Sequence, residues 1–210
     1  MAGGAALRLE TAELRPYLAG MDKMTPDLSL ARRDGLPDAL RVLTRELPRS
    51  GWEAHPNFDG LVRFWMQRHM MFRDLLDKLQ GGQRALLAGE VEGRAQARET
   101  QRYAGFLLNQ LHGHHQIEDM HYFPALTGLD PRLEEGFALL DADHHALDGH
   151  IHDMAETTNR FLQSVGGADE RETAGRLETA LDGFNGFLTR HLDDEEDLVV
   201  PVILKFAPNL

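Results

Sequence analysis

Apolar residues recur at helical spacing in four long stretches of the chain. The first stretch follows Asn57, a residue type that favours the start of a helix. The residues of its inner face recur every three or four positions, and one of them is a histidine. They are Val62, Trp65, Met66, His69, Phe72 and Leu76. Gly81-Gly82 predicts the end of this helix, because glycine is favoured just after a helix.

A second helix is predicted from about Val91 to about Ala125. Its inner face carries polar residues as well as apolar ones: Ala104, Leu107, Leu111, His114, Glu118 and His121. Asp130-Pro131 predicts the start of a third helix, because proline is favoured at the first helical position. The third helix is expected to end near Val165-Gly166-Gly167.

The fourth helix is predicted to follow Asp169, because Asp169 and Glu172 have the spacing of a capping box. Its inner face comprises Leu177, Leu181, Phe184, Leu188, His191, Glu195 and Leu198. No stretch alternates apolar and polar residues for long enough to form a sheet. The pattern therefore predicts an all-α fold, an antiparallel up-down four-helix bundle over residues 57–210.

Residues 1–56 are predicted to form an N-terminal extension that packs on the bundle. Prolines interrupt this part of the chain repeatedly. A short helix ended by Pro48 is expected along Leu40, Leu43 and Leu47. Trp52 is expected to anchor the extension on the bundle.

Composition narrows the classes of function. The chain has 22 Lys and Arg against 34 Asp and Glu, a net charge of −12, which argues against nucleic acid and anionic membranes as partners. There is no cysteine, so disulfides, thiolate metal ligands and cysteine nucleophiles are excluded. With no apolar run of about 18 residues and no signal-peptide pattern, cytoplasmic residence is expected.

Histidine is the unusual component, with 11 in the chain. One motif recurs twice as His-x3-Glu-x5-Pro: His114, Glu118 and Pro124 in the second helix, then His191, Glu195 and Pro201 in the fourth. A histidine and a glutamate four residues apart lie on one helix face. Both can therefore reach a single metal from one rigid element.

The two halves of the bundle repeat each other. His69 precedes His114 by 45 residues, and His145 precedes His191 by 46. Each half is then a helix with one histidine followed by a helix with His-x3-Glu. Because antiparallel helices place such positions at one level, we expect His69, His114, Glu118, His145, His191 and Glu195 to converge.

This donor set suits a pair of metal ions. Imidazole binds iron, zinc, copper and nickel, and carboxylates can bridge two cations. Each metal would have two imidazoles and a share of two bridging glutamates, with positions open for water, hydroxide, oxo or a small ligand.

Several neighbouring residues compete for roles at this site. His144 competes with His145, which preserves the repeat spacing better and is preferred. His121 is a further ligand, a hydrogen-bond partner of one, or a packing residue. His115 and Asp119 are expected to support the ligands or lie at the surface, and Asp141 and His152 to orient or supplement His145. In the acidic run from Asp193 to Asp197, only Glu195 is predicted to point inward.

The residues from Asn57 to Pro208 resemble the hemerythrin-like (HHE cation-binding) family. The resemblance rests on the single histidines His69 and His145 and on the two motifs with their neighbours Asp119, Phe123-Pro124, Glu196 and Pro201. It implies a non-haem pair of iron ions with an oxo or hydroxo bridge. Zinc and manganese also suit the predicted site.

The resemblance implies binding and redox handling of a small oxidant, namely oxygen, nitric oxide or peroxide, in stress defence or sensing. Three alternatives stay open: an enzyme that consumes peroxide or nitric oxide, an iron storage or delivery protein, and a helical interaction module without metal. The redox partner is unknown, and a monomer or homodimer is expected.

Overall fold

A computed structural model describes residues 27–58 and 60–210. Residues 1–26, which belong to the predicted extension, and Asp59 lie outside the described residues. Across the described ranges the fold is all-helical and contains no strand, which confirms the predicted all-α class.

Five α-helices follow one another in the described part of the chain. They are α1 (Gly60–Ala88), α2 (Gly93–Ile117), the short α3 (Phe123–Thr127), α4 (Glu134–Ser164) and α5 (Glu170–Phe206). A π-helical turn, Glu118–Tyr122, joins α2 to α3, and a 3-10 turn, Pro131–Leu133, leads into α4. None of these helices combines the length and apolar character that a membrane span requires.

The four long helices form a ring of contacts around a shared interior. α1 packs on α2, α2 on α4, α4 on α5, and α5 on α1. Two apolar clusters fill the interior. One contains Phe72, Leu111, Leu147 and Leu188, and the other contains Trp65, Phe123, Leu140 and Leu198.

A polar layer separates the two apolar clusters. Along α1, α4 and α5, and from α2 into α3, the chain passes from one cluster to the other, and a buried histidine lies at each crossing. The crossing residues are His69 on α1, His114 on α2, His144 on α4 and His191 on α5. The layer therefore lies within the bundle, away from its ends.

The predicted end of α1 at Gly81-Gly82 is wrong, because the helix continues to Ala88. A Cβ at Gly82 would lie 2.3 Å from the side chain of Gln96, so this glycine permits close packing on α2. Gln83, beyond it, is buried and donates to Thr100 Oγ1 at 2.9 Å. The helix is followed by Gly89, which has a positive φ of +77°, the backbone conformation that favours glycine.

The start of α5 is near the predicted residue, but the predicted capping box is absent. Asp169 makes no side-chain capping bond. Glu170 Oε2 instead accepts from the backbone N of Gly166 at 2.6 Å, which ties the helix start to the preceding turn.

The short helix predicted along Leu40, Leu43 and Leu47 does not form. Isolated bonds such as Leu47 N to Leu43 O, 2.9 Å, close single turns, and a 3-10 helix follows at Arg49–Ala54. A helix this short gains little from its own hydrogen bonds. Packing holds the segment instead, since Leu40, Leu43 and Trp52 are buried in the same apolar cluster as Leu198.

Candidate metal centre

The polar layer contains two groups of potential metal ligands. In the first, His69 of α1, His114 of α2, Glu118 of the π-helical turn and Glu195 of α5 place one donor atom each within 4.8 Å of one another. We call this group cluster A. His69 Nε2 lies 3.2 Å from His114 Nε2, and all four side chains are buried.

The second group, cluster B, consists of His115, His144 and His191, whose donor atoms also lie within 4.8 Å of one another. His144 Nε2 is 3.1 Å from His191 Nε2. The ring of His115 stacks on that of His144, with 4.1 Å between centroids. All three imidazoles are buried.

The two glutamates connect the clusters. Glu118 Oε1 lies 3.1 Å from His114 Nε2 in cluster A, and its Oε2 lies 3.6 Å from His144 Nε2 in cluster B. Glu195 has the same arrangement, with Oε1 3.3 Å from His69 Nε2 and Oε2 3.6 Å from His191 Nε2. Each carboxylate therefore faces both clusters with a different oxygen.

The structure corrects the choice between His144 and His145. The side chain of His145 is 76% exposed, and its Nδ1 donates to the carbonyl of Asp141 one turn earlier at 2.9 Å. His144 shares the inner face of α4 with the buried Leu140 and Leu147. Because adjacent helical residues point about 100° apart, His145 points away from the face that His144 shares with these leucines, and it is exposed.

The remaining candidates divide by position. His121, Asp141 and His152 are exposed and lie outside both clusters. His115, expected only to support the ligands or lie at the surface, is 2% exposed and joins cluster B. Asp119 does have the expected supporting position, with Oδ1 2.6 Å from His144 Nδ1.

Three of the buried histidines direct Nδ1 at a carboxylate outside the clusters. The pairs are His69 with Glu196 at 3.0 Å, His144 with Asp119 at 2.6 Å, and His191 with Asp143 at 3.4 Å. A carboxylate that accepts from Nδ1–H fixes the tautomer in which Nε2 carries the free lone pair. When these rings are neutral, the Nε2 atoms that face the clusters are thereby prepared to donate to a cation.

Sequence reasoning missed two of these carboxylates. Glu196 was expected on a solvated acidic face, and Asp143 was not singled out. Glu196 and its neighbour Asp194 are buried because the segment that precedes α1 covers that side of α5. The prediction that only Glu195 points inward in this run is therefore wrong. Periodicity within one helix could not have shown that another segment of the chain packs over this side of α5.

Burial and neighbouring charge oppose each other in cluster A. Burial disfavours a charged His69, but the charges and hydrogen bonds of Glu195 and Glu196 outweigh it and raise the pKa to about 9. Burial lowers the pKa of His114 to about 3 and raises that of Glu118 well above its usual value. Despite its burial, Glu195 has a pKa well below the ordinary value because His69 is adjacent.

Several buried polar atoms in the clusters have no hydrogen-bond partner within the described residues. They are both oxygens of Glu118, Oε2 of Glu195 and both ring nitrogens of His115. Such atoms are costly to bury unpaired. Cations bound there would satisfy the carboxylate oxygens and one ring nitrogen of His115, and a mixed set of imidazole nitrogens and carboxylate oxygens suits iron, zinc or manganese. The residues present thus fit a bound metal pair.

Aromatic side chains enclose the layer. Trp65 and Phe72 on α1 and Phe123 on α3 are almost fully buried. Trp65 Nε1 also donates to Glu195 Oε1 at 2.5 Å, and Phe123 stacks on His144 with 5.2 Å between centroids. These rings keep bulk water away from the clusters and limit access to small molecules.

Comparison with known families agrees with this arrangement. The family model described as the hemerythrin HHE cation binding domain matches residues 60–203, which include every residue of both clusters. No curated protein and no solved structure shows a significant match.

Proposed function

This chain belongs to the hemerythrin HHE cation-binding family, and on that premise we propose that clusters A and B together hold a pair of metal ions. Iron is the metal we expect, and zinc and manganese also suit the donors. His69 and His114 serve the first ion, and His115, His144 and His191 serve the second. Glu118 and Glu195 bridge the two.

One observation carries this proposal. Each glutamate places one oxygen near an imidazole of cluster A and the other near an imidazole of cluster B, at 3.1 and 3.6 Å for Glu118 and at 3.3 and 3.6 Å for Glu195. Three of these four oxygens have no hydrogen-bond partner in the part of the chain that the structure describes. Two bridging cations would account for the position and the unpaired state of these oxygens.

We also propose that the four long helices run alternately up and down. The order in which each helix meets the two apolar clusters supports this topology. α1 passes Trp65 before Phe72, and α4 passes Leu140 before Leu147, whereas the chain meets the two clusters in the opposite order along α5 and from α2 into α3. Antiparallel neighbours bring single donors from four helices to one level.

The function we propose is binding and redox handling of a small oxidant such as oxygen, nitric oxide or peroxide, in stress defence or sensing. A bound iron pair would supply the electrons that such a molecule accepts. The chain's own residues bind and orient the metals, and Trp65, Phe72 and Phe123 exclude water and larger molecules. Asp119, Asp143 and Glu196 hold the Nδ1 protons of three histidines.

Anaerobic loading with Fe²⁺ tests the proposal. Metal analysis should give two irons per chain, and the optical spectrum should change on exposure to oxygen, nitric oxide or hydrogen peroxide. Protein that takes up no stoichiometric metal would contradict the proposal and favour a helical interaction module.

The same sample separates the alternatives. Steady-state consumption of peroxide or nitric oxide would identify an enzyme, whereas a stoichiometric adduct without turnover would identify a binding protein. More than two irons per chain, or transfer of iron to an acceptor, would identify storage or delivery.

A further inference from the structure

The segment from residue 27 to residue 58 precedes the region that the family model matches, yet it reaches the metal centre. Its Arg33 is 4% exposed, which is unusual for arginine. Leu36, three residues later, donates its backbone N–H to Asp194 Oδ1 at 2.7 Å. The segment thus contributes a buried charge and a backbone donor to the bundle.

Arg33 binds two aspartates of different helices. Its Nε donates to Asp194 Oδ2 on α5 at 2.8 Å. Nη1 donates to Asp143 Oδ1 on α4 at 2.7 Å, and Nη2 donates to the other oxygen of the same carboxylate. Asp143 Oδ2 in turn faces Nδ1 of His191 at 3.4 Å. A direct chain of contacts therefore runs from the segment to a histidine of cluster B.

Arg49 makes the corresponding connection to cluster A. Its Nη1 donates to Glu196 Oε2 at 2.8 Å, and Glu196 Oε1 lies 3.0 Å from Nδ1 of His69. Arg49 Nε also donates to Asp197 Oδ1 at 2.7 Å. Glu196 has a second cation, Arg73 of α1, at 2.8 Å, so Arg49 shares this carboxylate.

We propose that Arg33 and Arg49 are positioning residues of the metal centre: through Asp143 and Glu196 they fix the orientation of His191 and His69. The inference rests on the metal pair proposed above. It assigns to the segment before the family domain a part in setting metal affinity.

Carboxylate geometry links the two arginines to the histidines. A guanidinium that donates to both oxygens of a carboxylate fixes its plane as well as its position. That carboxylate then determines how the imidazole is turned and how basic its Nε2 is. Without Arg33, Asp143 would keep its contact with His191 but would be free to rotate.

The experiment uses Co²⁺ as probe, because its visible absorption reports ligand geometry. The full chain is titrated with Co²⁺ alone, and affinity and spectrum are recorded. Arg33→Lys retains a positive charge for the two buried aspartates but loses the two-pronged hold on Asp143. Arg49→Met removes the other arginine while Arg73 still neutralises Glu196. Arg41→Met is the matched control, because Arg41 lies on the same segment and pairs with Asp38 at 2.6 Å and with Asp197 at 3.6 Å. Among the described residues, neither of these carboxylates contacts a histidine of the clusters.

We expect Arg33→Lys to weaken Co²⁺ binding about 10-fold or more, the usual effect of removing an outer partner of a ligand, and to shift the Co²⁺ absorption bands. Arg49→Met should produce a smaller change of the same kind, and Arg41→Met none. Circular dichroism confirms that each variant is folded. If Arg33→Lys does not fold, the Co²⁺ affinity and spectrum of Arg49→Met test the proposal.

Wild-type affinity and spectrum in the folded variants would overturn the inference. Weaker binding with unchanged absorption bands would also overturn it, since a merely structural role would loosen the fold without altering ligand geometry. The inference would also be overturned if Arg41→Met changed the Co²⁺ affinity and spectrum as much as the other two variants. Wild-type protein that binds fewer than two Co²⁺ would instead overturn the metal pair itself, so the two failures are distinguishable.

Discussion

His144 and His145 are adjacent residues of one type with opposite surroundings, so they form a matched pair of test positions. His144 contacts His191 and Asp119 within the layer, whereas His145 is exposed. His144→Ala should abolish binding of the second metal ion, because it removes a donor from cluster B. His145→Ala should leave metal content unchanged. Metal analysis after Fe²⁺ loading measures both, and equal metal content in the two variants would contradict the assignment of His144.

Five of the six ligands predicted from the sequence, all but His145, lie together in the layer. The His-x3-Glu spacing places each histidine and its glutamate on one helix face, and the position of the motif near an apolar stripe indicates that the face is inner. The number of residues between two histidines on different helices predicts their positions less exactly. The repeat favoured His145 because 46 residues separate it from His191, but the structure uses a separation of 47. The leucines at positions 140 and 147 were the better guide, because they share the inner face with His144.

At the scale of elements, the π-helical turn Glu118–Tyr122 changes the register of the chain leaving the site. A π-turn contains one residue more than an α-helical turn, so side chains beyond it are rotated by about 100° relative to an uninterrupted helix. An ordinary helix would place His121 on the face of Glu118. The extra residue leaves His121 exposed and instead brings Tyr122 against Trp65, with 4.9 Å between ring centroids.

Deletion of Met120, which is 62% exposed, tests the role of this turn. The shortened chain should form regular helix there and rotate Phe123 and Leu126 out of their apolar cluster or Glu118 out of the layer. We expect loss of the metal pair together with a fall in stability of about 2–5 kcal/mol, the range for losing a large buried side chain. Met120→Ala keeps the residue count and should change neither quantity. Urea unfolding and metal analysis provide the measurements, and a deletion variant with normal metal content would refute the role of the turn.

The start at Asp130-Pro131 was predictable from local backbone chemistry, since Asp130 Oδ1 accepts from Arg132 N at 3.0 Å. Asn57 and Asp169 marked the approximate starts of α1 and α5 without capping them in the predicted way: Asn57 Nδ2 donates to Leu204 O at 2.7 Å, and Asp169 makes no side-chain cap. Helix ends and interruptions were less predictable. Gly82 resembles a stop signal, and only the close approach of Gln96 explains its position inside α1. The π-turn leaves no local pattern at all, because its register is set by the core that Phe123 and Leu126 join. The leucines of the N-terminal segment predicted burial correctly but not the backbone that buries them.

For the whole molecule, the buried titratable groups determine how stability depends on pH in the absence of metal. His114 has a pKa of about 3 in the fold against 6.5 ordinarily, and Glu196 about 2 against 4.5. Below pH 4.5 both residues therefore become protonated in the unfolded chain while they remain unprotonated in the folded protein. The free energy of unfolding should fall as the pH drops from 4.5 to 3, by about 1.4 kcal/mol per pH unit for each such proton.

Urea unfolding of metal-free protein at a series of pH values measures this slope. His69 does not contribute to it, since its raised pKa of about 9 stabilises the fold fully below pH 6.5 and loses that effect only as the pH rises towards 9. His114→Leu serves as the control. It removes one titrating group, so it should reduce the slope of unfolding free energy against pH by about 1.4 kcal/mol per pH unit. A slope unchanged by that substitution would show that His114 is not held neutral in the fold.

The donors of the polar layer come from parts of the chain that are far apart in sequence. His69 and His114 are 45 residues apart, and His144 and His191 are 47 apart. A metal that joined such pairs in the unfolded chain would first have to close long loops, at a cost in chain entropy. We therefore expect the helices to pack first and the metal to enter a completed bundle, where it would act as a cross-link between helices. Loading should therefore retard unfolding far more than it accelerates folding.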